Sequence, residues 1–114
     1  MTPKEATAQT YALLHAFGLR DWIVITCDNA AIALLNGGSA TEPNGDIVQG
    51  LTCFRMHTIF LSETYVVPAW QAWQLIEHEV AHALSGSSEC NNSPSFDEAA
   101  RKIDAFYRAA EFGN

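Results

Sequence analysis

The chain has 114 residues, enough for one domain with a single modest core. Its 13 Asp and Glu outweigh six Lys and Arg, and the net charge of −7 sets a repulsive mean field against nucleic-acid backbones. A hydrophobic content of 48% argues against a disordered chain, and no apolar run reaches membrane-spanning length.

The first segment, "TPKEATAQTYALLHAFG", reads as a helix. Thr2 caps it, Pro3 suits its first position, Glu5 completes a capping box and Gly18 suits its end. "DWIVITCD" is short and rich in β-branched residues, as a strand requires. "NAAIALLNGG" is ambiguous between strand and short helix. "GGSATEPNGD" is a loop with a strong turn signal at Asn44-Gly45. "IVQGLTCFR" and "TIFLSETYV" read as two further strands, pairing as one hairpin.

"PAWQAWQLIEHEVAHALS" is a helix, with Pro68 at its start and Gly86 at its end. Trp70, Trp73, Ile76, Val80 and Leu84 spread over its faces and predict a buried, central helix, with both tryptophans in the core. "SPSFDEAARKIDAFYRAAEF" is a second amphipathic helix, with Phe96, Ala99, Ile103, Phe106 and Ala110 as its apolar stripe. The expected class is α+β: an N-terminal helix, a small sheet of about three strands, then two helices. Cys27, Cys53 and Cys90 are too few and too odd in number for a disulfide framework, which favours a reduced, cytoplasmic setting. "MTPKEATAQT" has neither the basic nor the apolar region of a signal peptide.

The chemistry concentrates in "HEVAH". On a helix, His78 and His82 stand one turn apart on one face and can hold one metal ion together. Glu79 projects roughly 100° around the axis, within reach of a water on that ion. Zinc, the default ion, lowers the pKa of such a water, and the carboxylate takes its proton. H-E-x-x-H is thus a mechanism as well as a string. Two histidines and a glutamate inside a buried helix are costly without partners, which weighs against an incidental match.

From "TIFLSETYV" onward the chain resembles the SprT-like (Spartan-type) zinc metallopeptidases, including short phage-encoded members. The resembling pieces are "IFLS" (59–62), "HEVAHAL" (78–84) and "NSPSF" (92–96). The resemblance implies a single zincin-like domain in which a small sheet lies over the motif helix. Its edge strand would hold an extended peptide by β-augmentation. It also implies His78 and His82 as zinc ligands, Glu79 as general base, and a protein or peptide as substrate.

The third ligand is the departure. Asn92 stands where the family has histidine, and asparagine binds zinc poorly. The metzincin spacing fails as well, since Ser85 and Ser88 occupy its glycine and histidine positions. Four residues are left as candidates: Glu89, Cys90, Asp97 and Glu98. A thiolate at Cys90 binds zinc tightly. Asp97 and Glu98 also have a plain structural use. Ser95 and Glu98 spell a capping box, and Asp97 and Glu98 can pair with Arg101 and Lys102. His57 and His15 lie outside the motif, and Tyr65 is placed near the cleft. Cys27 and Cys53 read as buried small hydrophobes. The sequence therefore implies a zinc-dependent endopeptidase. The alternative is a metal-binding domain, weak or inactive in catalysis, that holds a partner's strand without cutting it.

Overall fold

The computed structural model describes residues 1–89 and 92–112. Among the described residues seven elements follow in order: α1 (Pro3–Ala16), β1 (Ile23–Cys27), α2 (Asn29–Leu35), β2 (Gly50–Cys53), β3 (Thr58–Ser62), α3 (Ala69–Ser85) and α4 (Pro94–Phe112). The chain is α+β, as its sequence implies, with four helices and a three-stranded mixed sheet.

Local chemistry sets most of the boundaries. Thr2 Oγ1 accepts from the Glu5 N–H at 3.1 Å, and Glu5 Oε1 accepts from the Thr2 N–H at 3.3 Å, forming the expected capping box. The ambiguous stretch after β1 is helical because Asp28 caps it, its carboxylate accepting from the Ala31 N–H at 2.8 Å. Gly86 ends α3 in the left-handed conformation at φ 70°, and its N–H donates to the His82 carbonyl at 3.0 Å.

The start of α4 differs from expectation. The cap is Ser93, whose Oγ accepts from the Phe96 N–H at 3.3 Å. Ser95 already lies inside the helix, so the Ser95–Glu98 capping box does not form. Glu98 pairs with Lys102 at 3.8 Å on an exposed face, whereas Asp97 and Arg101 do not come within ion-pair distance. An exposed pair of this kind contributes about 1 kcal/mol at most.

The strand order is β1-β3-β2. β3 is central and all five of its residues are buried. β1 runs parallel to β3 in the register Ile23–Thr58 to Cys27–Ser62. β2 runs antiparallel to β3, from Gly50–Leu61 to Cys53–Thr58, which is the expected hairpin. The parallel pair needs a crossover, and α2, the following loop and β2 together supply it.

Helices α1 and α3 cover one face of the sheet, and α4 packs against α3. Leu13, Leu14, Ile76, Val80 and Ile103 pack there with Val24, Ile59 and Leu61. Ile32 of α2 and Val48 meet Phe60 on the other face. Each fully buried aliphatic side chain contributes about 1.5–3 kcal/mol, so the fold holds α3 firmly between sheet and α4. Phe96, Ala99 and Ile103 form the buried stripe of α4 as expected, while Phe106 is 41% exposed and Ala110 lies outside the described side chains. Trp70 is a correction: it is 67% exposed rather than core, because it stands on the side of α3 opposite to that which buries Ala72 and Ile76. Trp73 is half-buried, edge-on to Tyr107 at 5.2 Å. No helix among the described residues is long and apolar enough to cross a membrane.

Candidate metal centre and cleft

Helix α3 brings the two histidines together. His78 Nε2 and His82 Nε2 lie 3.1 Å apart. Two nitrogens bound to one tetrahedral zinc at the usual ligand distance are separated by roughly 3.3 Å, so the pair is already spaced to share an ion. The Ser87 carbonyl accepts from His82 Nδ1 at 2.7 Å. That bond places the proton on Nδ1 and leaves the Nε2 lone pair facing the cleft. Burial, and then the neighbouring His82, hold the His78 pKa below its ordinary value, so its neutral, metal-binding form is favoured. Phe96 backs both rings, with centroids 5.2 Å from His78 and 4.8 Å from His82.

Glu79 is 5% exposed and borders the same cleft. Burial pushes its carboxyl up to about 7, opposed by a hydrogen bond from Thr52 and reinforced by the charge of Glu42. Thr52 Oγ1 lies 2.8 Å from Glu79 Oε1 and 3.0 Å from the Glu79 main-chain oxygen. When the carboxyl is ionised, the hydroxyl donates to Oε1. When it is protonated, the carboxyl donates to Oγ1, and the hydroxyl turns to the main-chain oxygen. Both states are satisfied, so this carboxyl can take and release a proton without leaving a buried group unpaired.

Strand β2 forms one wall. The Ser62 N–H donates to the Gln49 carbonyl at 2.9 Å, which sets the alternation of the ladder. The main-chain groups of Leu51 and Cys53 therefore face β3, and those of Gly50 and Thr52 face outward. Gly50 is required by close approach. A Cβ there would lie 2.8 Å from Leu75 Cδ1 and 3.2 Å from Glu79 Cγ. The sheet edge thus rests directly on α3 beside the general-base candidate.

The cleft has two arms that share Glu42, Gly50, His78 and Glu79. One arm, of about 680 Å³, runs past Thr52 and Phe54 to Ser88 and Glu89. The other runs past Gly50 toward the start of α3 and includes Tyr65, as expected.

The third-ligand candidates separate on this geometry. Glu89 borders the cleft with both histidines. Asp97 and Glu98 are exposed on α4 and do not line it. Asn92 is exposed with φ 56°, and Cys90 lies outside the described residues. Among the described residues, no third His, Cys, Asp or Glu joins the histidine pair within metal-binding distance.

His57 is elsewhere, stacked on Trp22 at 4.8 Å with its Nδ1 2.6 Å from Asp21, and His15 is exposed on α1. Cys27 and Cys53 are half-buried rather than buried, packed against the Ile32–Phe60 cluster on the face away from α3. The sequence reading missed Thr52, Gly50, Glu42 and Ser87. Only Ser87, just beyond the helix end, had a local signal; Thr52 meets Glu79 from 27 positions away. No family model, curated protein or solved structure matches this chain.

Proposed function

We propose that this protein is a zinc-dependent endopeptidase of the SprT-like, zincin type, acting on extended protein segments. One observation carries the reading: two imidazole Nε2 atoms 3.1 Å apart, beside a buried, hydrogen-bonded glutamate, in a cleft walled by an unpaired strand edge. His78 and His82 would hold the ion. The ion supplies Lewis acidity toward the substrate carbonyl and a lowered pKa for a bound water.

The chain's own groups do the rest. Glu79 takes a proton at its carboxylate and returns it to the leaving amine. Its raised pKa suits both duties near neutral pH. Thr52 keeps the carboxyl aimed and satisfied in both states. The outward main-chain groups of Gly50 and Thr52 bind an extended peptide as one more strand. Glu89 is the described candidate best placed to complete the ligand set.

A second reading is a metal-binding domain that holds a partner strand without cutting it. It is favoured by the absence of a third ligand near the pair among the described residues. Metal analysis of wild type and Glu79→Gln after zinc reconstitution, with a casein digest of each, separates the two. One zinc in both proteins, with cleavage lost only in the variant, supports the peptidase. Zinc without cleavage in either supports the binding domain. No zinc in either overturns both.

A further inference from the structure

The segment around the Asn44-Gly45 turn folds as a small hairpin. The Val48 N–H donates to the Ala40 carbonyl at 3.0 Å, Thr41 bridges to Ile47, and the Glu42 N–H donates to the Asp46 carbonyl at 2.7 Å. Asn44 closes the tip: its side-chain amide donates to Asp46 Oδ2, and its Oδ1 accepts from the Asp46 N–H, both at 3.0 Å. Among the described residues, every hydrogen bond of residues 39–47 ends within 36–48, and neither Glu42 nor Asp46 joins an ion pair. The base is anchored by Val48, buried against Ile32 and Phe60, whereas every residue from Thr41 to Ile47 is exposed. The tip is thus braced within itself and barely tied to the body, as in a segment that opens at low cost.

This tip lies across the cleft. Pro43 and Asn44 line the arm that holds both histidines, and Gly45, Asp46 and Ile47 line the other. Glu42 lines both arms, as do Gly50, His78 and Glu79. The neck between the arms therefore has Glu42 on one side and the other three residues opposite. A peptide laid along the outward main-chain groups of Gly50 and Thr52 has to pass this neck to reach from one arm into the other. Like charge on Glu42 and an ionised Glu79 weakens the seating of the tip.

We infer that residues 40–48 form an autoinhibitory strap across the neck of the cleft, lifted by the extended segment that comes to occupy both arms. The inference rests on the peptidase reading and adds its regulation: substrate enters only those molecules whose strap is raised.

Replacing Thr41–Ile47 by Gly-Gly tests it. Ala40 and Val48 then flank a two-residue turn, and their 3.0 Å hydrogen bond becomes the closing bond of that turn. Circular dichroism checks that the shortened chain folds. Glu42→Ala is a smaller change that widens only the neck. Carbethoxylation of the metal-free proteins by diethylpyrocarbonate, read by mass spectrometry, reports access to His78, with exposed His15 as internal reference. His78 should react roughly tenfold faster in the shortened chain and to an intermediate extent in Glu42→Ala, with His15 unchanged. The zinc-loaded shortened chain should also cleave fluorescein-labelled casein faster than wild type. Equal His78 rates overturn the strap, and so does casein cleavage that is no faster in the shortened chain than in an active wild type. If the shortened chain does not fold, the His78 rate in Glu42→Ala decides alone. Faster His78 modification with no cleavage by any of the proteins keeps the strap and overturns the peptidase reading. Cleavage at equal rates with equal His78 access does the reverse.

Discussion

Replacing Gly50 by alanine probes the contact between sheet edge and motif helix. The new Cβ would meet Leu75 Cδ1 at 2.8 Å, the Phe60 carbonyl oxygen at 3.0 Å and Glu79 Cγ at 3.2 Å. Phe60 O belongs to the backbone of the central strand, so it does not yield alone. Leu75 is itself 7% exposed and has little room to turn. Overpacking of this kind costs about 1–3 kcal/mol, while alanine recovers about 0.5–1 kcal/mol of backbone entropy over glycine. The net loss should be about 1–2 kcal/mol, a fall in Tm of roughly 4–10 °C for a domain of this size. Relief comes by moving β2 off α3, which lengthens the Thr52–Glu79 hydrogen bond of 2.8 Å. Cleavage should therefore fall more than zinc content, because both histidines sit on α3. Circular-dichroism melts and metal analysis read the two effects. A Gly50→Ala protein that melts at or above wild type would refute the close packing of β2 on α3.

In the metal-free protein, Glu79 has a folded pKa of about 7 against an ordinary 4.5, so its stabilising share is full below 4.5 and is lost as pH rises through 7. Glu79→Gln should therefore stabilise the metal-free protein by about 2–3 kcal/mol at pH ~8 and by little at pH ~4.5; urea melts showing the same difference at both pH values would contradict this. Zinc bound to His78 and His82 should dissociate as pH falls toward and below about 6, because protonation competes for the ligand nitrogens. Equilibrium dialysis checks it, and undiminished zinc at pH ~5 would argue against histidine ligation. Ser93→Ala should cost about 1 kcal/mol by removing the α4 cap, whereas Ser95→Ala should cost much less. Equal losses in the two variants would return the cap to Ser95.

Periodicity and punctuation made the outer helices, the hairpin and the motif helix readable. Thr2, Pro3, Gly18, Pro68 and Gly86 all act within a few residues of where they stand. What escaped was set by long-range packing. "NAAIALL" carries no decisive period over seven residues, and only the Asp28 cap selects the helix. Trp70 has the chemistry of a core residue, but it is 67% exposed while Ala72 and Ile76 of the same helix take the buried face. Ser95 and Glu98 spell a capping box, but the helix starts at Pro94, so Ser93 takes the cap. In the site, the histidine pair was legible because four positions is one helical turn. Thr52 was not, because no local pattern marks which strand hydroxyl will meet Glu79.

The two halves of the site form from contacts of very different range. His78 with His82, and His82 with Ser87, are separations of four and five positions. The Thr52–Glu79 contact spans 27. Closing the longer loop costs more chain entropy and depends on the hairpin docking. The histidine pair therefore needs only helix α3, while the Thr52–Glu79 contact also needs the hairpin in place. In the proposed peptidase, a chain whose edge strand has transiently peeled away would keep its grip on metal but have no aimed carboxylate. Under the proposed function, metal retention and turnover would report on different stages of folding, and mild denaturant should silence the second before it releases the first.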